Sequence, residues 1–317
     1  MERKITLNSR VDSLPISILE VTPDALCQES VPVKAVLQLS HGMCGCKERY
    51  LPFMRYMASK GIVCVAGDHR GHGESVRSSD DLGYMYEGGY RAMVDDLRMI
   101  TSWIVSRYPG LPIFLLGHSM GSMAARLYAK YDDSTISGLI LTGSPSWEPF
   151  AYLGRAIAGL MCFLGMSHYR MERSQRMTSD KYNSRFAAEG TQAWTCSDPA
   201  ERESFMANPV CNFAMTANGS YNLLSMMIDT YNSSKWIVSN PSMPVFFISG
   251  ADDPMLGSEP RFHSAAMDIR NRGYTNVTSV IYPYMRHEVL NEKGKEQVWA
   301  EVYDFINLAL TLQDEDC

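Results

Sequence analysis

One serine of this sequence lies in a pattern that can make it a nucleophile. The apolar run 113–116 leads directly into Gly117-His118-Ser119-Met120-Gly121, and a helical pattern follows over residues 122–131. In this strand–turn–helix order, G-x-S-x-G places the serine on a sharp turn where the flanking glycines remove side chains that would clash. The following helix directs the positive end of its dipole toward that serine. The sequence therefore predicts Ser119 as the nucleophile of a covalent reaction.

A serine hydroxyl needs a base to take its proton, and seven histidines are available. His287 follows the last predicted strand, 277–282, in a loop that can carry it over the carboxyl edge of a parallel sheet. The other histidines are predicted in a turn, in a tight loop, beside the nucleophile, in the insertion or in a helix: His41, His69 and His72, His118, His168 and His263. We therefore predict His287 as the general base.

The histidine needs a carboxylate that fixes its tautomer and stabilises the imidazolium. Asp252 and Asp253 follow the apolar strand that begins at Val245, and Pro254 comes next. The chain order serine, aspartate, histidine is that of α/β-hydrolases and differs from the orders in chymotrypsin and subtilisin. On chemistry alone either aspartate can orient the histidine, and the other would cap the turn.

Acyl transfer also requires two N–H donors for the negative charge that develops on the carbonyl oxygen. The first is expected to be the backbone N–H of Met120, directly after the nucleophile. The second should come from the loop after strand 35–39, which contains His41-Gly42-Met43. Because glycine lets the backbone turn there, we expect the Met43 N–H to face the pocket.

The elements that must position these residues alternate between short apolar strands and longer helical patterns, which indicates a mostly parallel sheet flanked by helices. Residues 5–10 and 16–21 are predicted as an opening hairpin. From about residue 146 to 240 the strand pattern stops and helical stretches rich in Met, Ser and Asn replace it. We therefore predict an α/β core in two parts, 1–145 and 241–317, with a helical insertion at 146–240.

Composition limits which binding partners and which cellular location we expect. The 317 residues carry 29 basic and 35 acidic side chains, a net charge of −6 without any block of like charges, which argues against nucleic acid. Residues 1–20 lack the apolar segment of a secretion signal, and the longest apolar stretch, 150–166, is too short to span a bilayer. The eight scattered cysteines lack the paired spacing of a zinc site and predict reduced thiols in a cytoplasmic protein. The reaction that we predict requires no metal and no cofactor.

These residues resemble the monoacylglycerol lipase and lysophospholipase group of α/β-hydrolases, which is close to the serine aminopeptidases. The resemblance covers nearly the whole chain. The motifs that carry it are His41-Gly42 with Arg49-Tyr50, residues 68–75 (DHRGHGES), 108–112 (YPGLP), 117–121 (GHSMG), 250–254 (GADDP) and 286–288 (RHE). In that family the acid directly precedes the proline, so the resemblance selects Asp253. It also implies a cap between core strands six and seven, where the insertion lies.

The resemblance implies a serine hydrolase that cleaves carboxylic esters of monoacylglycerol or lysophospholipid type. A short-chain carboxylesterase and a serine aminopeptidase remain alternatives. A peptidase would bind a free amine through acidic cap residues, and the sequence offers Glu172, Glu189, Asp198, Glu201 and Glu203. An inactive fold that serves as a receptor is the alternative outside the enzymes. Epoxide hydrolases and dehalogenases are disfavoured, since their chemistry requires aspartate at position 119.

One helix of the insertion is strongly apolar. Leu153, Ile157, Leu160, Met161 and Leu164 share a helical face, which Phe163 and Met166 widen. We expect this face to pack on the core, and any exposed remainder to line an acyl channel or contact a lipid surface.

Overall fold

The computed structural model describes residues 1–23 and 32–315, so Cys27 and Cys317 lie outside the described residues. It contains a sheet built from β1 Glu2–Asn8, β2 Pro15–Val21, β3 Ala35–Ser40, β4 Ile62–Gly67, β5 Ile113–His118, β6 Gly138–Thr142, β7 Val245–Gly250 and β8 Val277–Tyr282. The strand order is β1-β2-β4-β3-β5-β6-β7-β8. β2 pairs antiparallel with β1 and β4, and all other pairs are parallel. The first strand begins at Glu2 and ends at Asn8, slightly earlier than the predicted 5–10.

Helices cover both faces of the sheet, which is why the central strands are continuous apolar runs. In β5, Phe114 and Leu116 pack on one face, whereas Ile113 and Leu115 pack on the other. One face is covered by α1 (Leu51–Ser59) and α9 (Lys295–Glu315); the other is covered by α2 (Gly89–Arg107), α3 (Met120–Asp132) and α8 (Glu259–Asn271). The predicted α/β architecture with a mostly parallel sheet is confirmed.

Between β6 and β7 the chain leaves the core and forms helices. These are α4 (Ala151–Phe163), α5 (Glu172–Asn183), α6 (Pro199–Ala207) and α7 (Ala217–Thr230). α7 packs against α2 and α3 of the core, and α4 packs on α7. We call residues 146–240 the cap. It begins after the carboxyl end of β6, at the edge where the parallel strands end, and the chain then returns to the start of β7.

The expectation that the large apolar side chains of α4 pack on the core is wrong. Leu153, Leu160 and Phe163 are 60%, 58% and 86% exposed. The buried positions are Ala151 and Ala158. Between them, a methyl group on Gly154 would lie 2.9 Å from the Leu224 side chain of α7. These small residues let the two helices approach closely, so the large apolar residues face outward.

The cysteines that the structure describes are free thiols: Cys44, Cys46, Cys64, Cys162, Cys196 and Cys211. Within residues 1–23 and 32–315, no cluster of three or more His, Cys, Asp or Glu side chains is arranged to bind a metal ion. In the same part of the chain, no helix has the length and apolarity needed to cross a membrane. The cytoplasmic location stays a prediction.

Candidate active site

Ser119 lies on the tight turn between β5 and α3. Its backbone has φ 53° and ψ −116°, a conformation that a residue with a side chain keeps only when surrounding contacts hold it. The Ser119 N–H donates to the Thr142 carbonyl oxygen at 2.9 Å. Gly121 is needed for the close approach to β3, since a methyl group there would lie 2.0 Å from the Ser40 carbonyl oxygen. The G-x-S-x-G sequence thus forms the turn that it predicts.

Hydrogen bonds connect Ser119, His287 and Asp253. His287 Nε2 lies 2.8 Å from Ser119 Oγ, and His287 Nδ1 lies 2.8 Å from Asp253 Oδ2. The three residues follow β5, β8 and β7, whose carboxyl ends meet at one edge of the sheet. All three side chains are buried. The structure therefore brings together the predicted nucleophile, base and acid, although 168 positions separate Ser119 from His287.

The two neighbouring aspartates have different surroundings. Asp253 Oδ1 accepts the Met255 N–H at 2.8 Å, so one carboxylate both bonds His287 and caps the turn after β7. The sequence-based expectation that Asp252 forms this turn is wrong. Asp252 instead pairs with Arg185 of the cap, with 2.7 Å between Oδ1 and Nη2. Asp253 alone of the two contacts the histidine.

The surroundings of His287 act on its pKa in opposite directions. Burial disfavours the imidazolium and lowers the pKa, whereas the charge of Asp253 and its hydrogen bond raise it, with a further contribution from Glu288. The net result is a pKa above the usual 6.5. An imidazole of this kind holds its proton more firmly than an exposed histidine does.

The loop formed by residues 41–45, here called the Gly42 loop, lies against Ser119. A methyl group on Gly42 would lie 3.2 Å from Ser119 Cβ. The Gly42 carbonyl oxygen accepts hydrogen bonds from His41 Nδ1 at 2.7 Å and from the Gly45 N–H at 3.3 Å. Because C=O and N–H point in opposite directions across a trans peptide, these bonds turn the Met43 N–H away from them. The role of the Met43 and Met120 amides as oxyanion donors stays a prediction.

Two contacts that sequence reasoning missed join residues 41–47 to the segment that follows β4. His41 Nε2 accepts the His69 N–H at 2.9 Å. The buried Lys47 donates to both carboxylate oxygens of Asp68, from its N–H at 2.8 Å and from Nζ at 2.6 Å. Asp68, the first residue of the 68–75 motif, was the sequence signal that could have indicated the second contact. A buried carboxylate requires a cationic or N–H partner.

Arg49 and Glu288 form a second buried pair that the sequence did not predict. Arg49 Nη1 and Nη2 donate to the two Glu288 carboxylate oxygens at 2.7 and 2.5 Å. Burial raises the pKa of Glu288, but the charge and hydrogen bonds of Arg49 outweigh it and bring the pKa to about 2. This pair joins the short segment before α1 to the residue after His287, and both residues belong to motifs that carry the family resemblance.

The remaining histidines do not reach Ser119 through a hydrogen bond. His118 Nδ1 lies 3.1 Å from Thr142 Oγ1, and burial lowers the His118 pKa to about 3. His69 Nε2 lies 2.9 Å from Ser40 Oγ. His168 and His263 are exposed, in the cap and on α8. These positions agree with the choice of His287 as the base.

The order of these residues on the sheet defines a class of protein. A nucleophile turn after β5, an aspartate after β7 and a histidine after β8 of a mostly parallel sheet are the arrangement of α/β-hydrolases. Residues 31–294 match the family model described as serine aminopeptidase, S33, and the chain belongs to that family. The fold class and the family resemblance predicted from the sequence are confirmed.

Known relatives include lipases and an esterase. The human monoglyceride lipase is 33% identical over 108 residues, which are 34% of this chain and 34% of the lipase, so the match to it spans about a third of its length. A monoacylglycerol lipase of Mycolicibacterium smegmatis is 24% identical over 86% of this chain and 88% of its own. Among solved structures, a thermostable carboxyl esterase of Bacillus coagulans, in complex with glycerol, superposes with a TM-score of 0.86 and 25% identity, covering 98% of this chain and 99% of that one.

Proposed function

We propose that this protein is a serine hydrolase that cleaves carboxylic esters, with Ser119 as nucleophile, His287 as general base and Asp253 as its orienting acid. The observation that carries this proposal is the hydrogen-bonded chain from Ser119 Oγ through His287 to Asp253. Nucleophile and base within hydrogen-bond reach, with the base oriented by a third group, are the arrangement that activates a serine.

The reaction proceeds in two halves. Ser119 Oγ attacks the acyl carbon while its proton passes to His287 Nε2, and the C–O bond breaks as the imidazolium protonates the leaving alcohol. A water molecule then attacks the acyl-enzyme, with His287 again accepting and returning the proton, and the free acid is released. The Met43 and Met120 N–H groups stabilise the oxyanion in both halves.

The substrate class that we propose is a lipid ester of the monoacylglycerol or lysophospholipid type. The two lipases named above act on monoacylglycerols according to their names. The exposed apolar face of α4 supports the same conclusion, since a surface of this kind suits contact with acyl chains or with a lipid interface. We therefore propose that the cap contacts the lipid that carries the substrate.

The family description makes an aminopeptidase the second candidate. A peptidase must pair the free amine of its substrate with a carboxylate of the cap. Of the five acidic cap residues considered from the sequence, Glu189 pairs with Arg286, Glu201 pairs with Lys295, and Asp198 caps α6. Three of the five carboxylates are therefore already engaged, which supports an ester with an uncharged acyl group as the first candidate.

A substrate panel tests the proposed function. The panel contains a long-chain monoacylglycerol, a lysophospholipid, p-nitrophenyl esters of graded length and an aminoacyl amide. We expect hydrolysis of the esters, with higher kcat/KM for the lipid esters than for p-nitrophenyl acetate. Preference for the aminoacyl amide would contradict the proposal and favour the peptidase.

The pH dependence of the reaction follows from the raised pKa of His287. Only the neutral imidazole accepts the serine proton, so kcat/KM should be low in acid and rise as His287 loses its proton. Measured on p-nitrophenyl acetate between about pH 5 and pH 9, the profile should show one ionisation with a midpoint above about 6.5. A midpoint below that value would contradict the pairing of His287 with an ionised Asp253.

Leu160→Asp tests the role of the α4 face. Leu160 is 58% exposed, so the substitution should leave the fold intact and place a charge where we propose lipid contact. Loss of one buried leucine at a lipid interface corresponds to a decrease of about tenfold or more in kcat/KM on monoacylglycerol vesicles. Hydrolysis of p-nitrophenyl acetate should be unchanged.

Leu308→Asp is the matched control for this variant. Leu308 is 62% exposed, but it lies on α9 of the core. The control should hydrolyse both substrates like the wild type. Equal loss on vesicles for the two variants, or no loss for Leu160→Asp, would contradict lipid contact through α4.

A further inference from the structure

The loop that carries His287 is bonded to the cap on both sides of the histidine. We call residues 285–292 the histidine loop and residues 189–197 the cap segment. Before the histidine, Arg286 Nη1 donates to the Ala193 carbonyl oxygen at 2.6 Å. After it, the Glu288 N–H donates to the Thr195 carbonyl oxygen at 2.8 Å. The cap segment is therefore hydrogen-bonded to the residue on each side of His287.

Glu292 joins the two segments through a single carboxylate. It is 1% exposed. Its Oε1 accepts the Ser197 N–H at 2.7 Å and the Arg286 N–H at 2.9 Å, and its Oε2 accepts the Ser197 hydroxyl. A buried carboxylate that accepts several hydrogen bonds fixes its donors firmly, because any lost bond leaves a desolvated charge or donor.

The side chain of Arg286 also joins the histidine loop to the cap. Arg286 Nη2 pairs with Glu189 Oε1 at 2.6 Å, and its guanidinium lies 3.8 Å from the centre of the Phe186 ring. Within the cap segment, the centre of the Trp194 ring lies 5.2 Å from the centre of the His287 ring. Backbone bonds, an ion pair and an aromatic contact thus leave the histidine loop little freedom to move relative to the cap.

We propose that Glu292 is a positioning residue: by fixing the histidine loop to the cap segment, it sets the distance from His287 Nε2 to Ser119 Oγ. This proposal rests on the proposed function of His287 as the base. Proton transfer depends steeply on that distance, and a misplacement of about 1 Å costs on the order of 100-fold in rate. Glu292 itself does not contact the reacting atoms. It acts through the backbone of Arg286, the residue before the base.

Glu292→Gln is the variant that tests this role. Glutamine has the same size, but its amide nitrogen is a donor and replaces one of the two oxygens that now accept hydrogen bonds. We expect kcat on p-nitrophenyl acetate to fall about 10- to 100-fold with KM changed less than about threefold, because the base is misplaced while the pocket remains. The rate of labelling by a fluorophosphonate should fall by the same factor.

A spectroscopic readout separates positioning from general destabilisation. A proton on His287 Nδ1, hydrogen-bonded to Asp253 Oδ2, should give a downfield NMR resonance in the wild type. In Glu292→Gln this resonance should shift or broaden, because the histidine no longer has one fixed position. The readout requires no substrate. It therefore tests the inference even if the wild type hydrolyses none of the esters, an outcome that would contradict the proposed function alone.

Glu201→Gln is the matched control. It removes another ion pair between cap and core, the partly exposed pair of Lys295 Nζ and Glu201 Oε1 at 2.6 Å, which does not involve the histidine loop. The control should keep kcat and the downfield resonance of the wild type. If Glu292→Gln behaves like this control in both measurements, the inference is wrong.

Ser197→Ala keeps the test valid if Glu292→Gln does not fold. It removes only the hydroxyl that donates to Glu292 Oε2 and leaves the charge and the backbone bonds in place. We expect a smaller loss of kcat, about three- to tenfold, with a shift of the resonance in the same direction. Wild-type kcat together with an unchanged resonance in Ser197→Ala would overturn the proposal.

Discussion

Ser119→Ala is expected to abolish labelling by a fluorophosphonate and to lower kcat by several orders of magnitude, because nucleophile and base act as one unit. Alanine keeps the Cβ of serine, so the strained turn at φ 53° is the same in the variant and the fold should be retained. Labelling is measured by mass spectrometry of the intact protein, kcat on p-nitrophenyl acetate, and folding by thermal unfolding.

Ser102→Ala is the control, since it removes an exposed hydroxyl on α2. It should be labelled and turn over substrate like the wild type. Retention of more than about a tenth of wild-type turnover by Ser119→Ala would contradict the mechanism. A wild type that reacts with neither probe nor ester would support the alternative of an inactive receptor, because such a protein does not need an activated serine.

The two aspartates that precede Pro254 should give very different variants. Asparagine at position 253 can still accept the Met255 N–H, so the turn after β7 is preserved. It no longer provides a charge for His287, and it favours the wrong tautomer of the imidazole. By comparison with other serine triads, Asp253→Asn should lower kcat by about 10⁴-fold.

Asp252→Asn is the built-in control, because it makes the same chemical change one residue away. Asp252 pairs with Arg185, whose side chain is 62% exposed, and ion pairs of this kind contribute little. We therefore expect kcat within about twofold of the wild type. If Asp252→Asn is the inactive variant instead, the assignment of the acid is wrong by one residue.

The core and the order of the site residues could be predicted because their signals are local. Continuous apolar runs predict buried parallel strands, and a glycine-flanked serine directly after such a run predicts the sharp turn. His287 could be selected since it follows the last strand, at the edge where parallel strands end. Each of these inferences needs only the residues next to it in the sequence.

The contacts around the site could not be predicted, because they join distant parts of the chain. Arg49 and Glu288 are 239 positions apart, and Ser197 and Glu292 are 95 positions apart. No periodicity or spacing connects such pairs. The outward direction of the α4 leucines was missed for a different reason: helical periodicity shows that a face is apolar, but the small residues Ala151 and Ala158 decide which side packs closely.

The packing of α4 through small residues has an evolutionary consequence. Mutations at its outward positions change the surface that the molecule presents without disturbing the contact with α7, since Ala151, Gly154 and Ala158 provide that contact. The histidine loop, by contrast, is bonded to another part of the cap, residues 189–197. In the function that we propose, contact with the lipid and the position of the base therefore depend on separate parts of the cap. A library of substitutions restricted to Leu153, Leu160 and Phe163 can therefore vary the exposed surface of α4 while the contacts of the histidine loop stay the same.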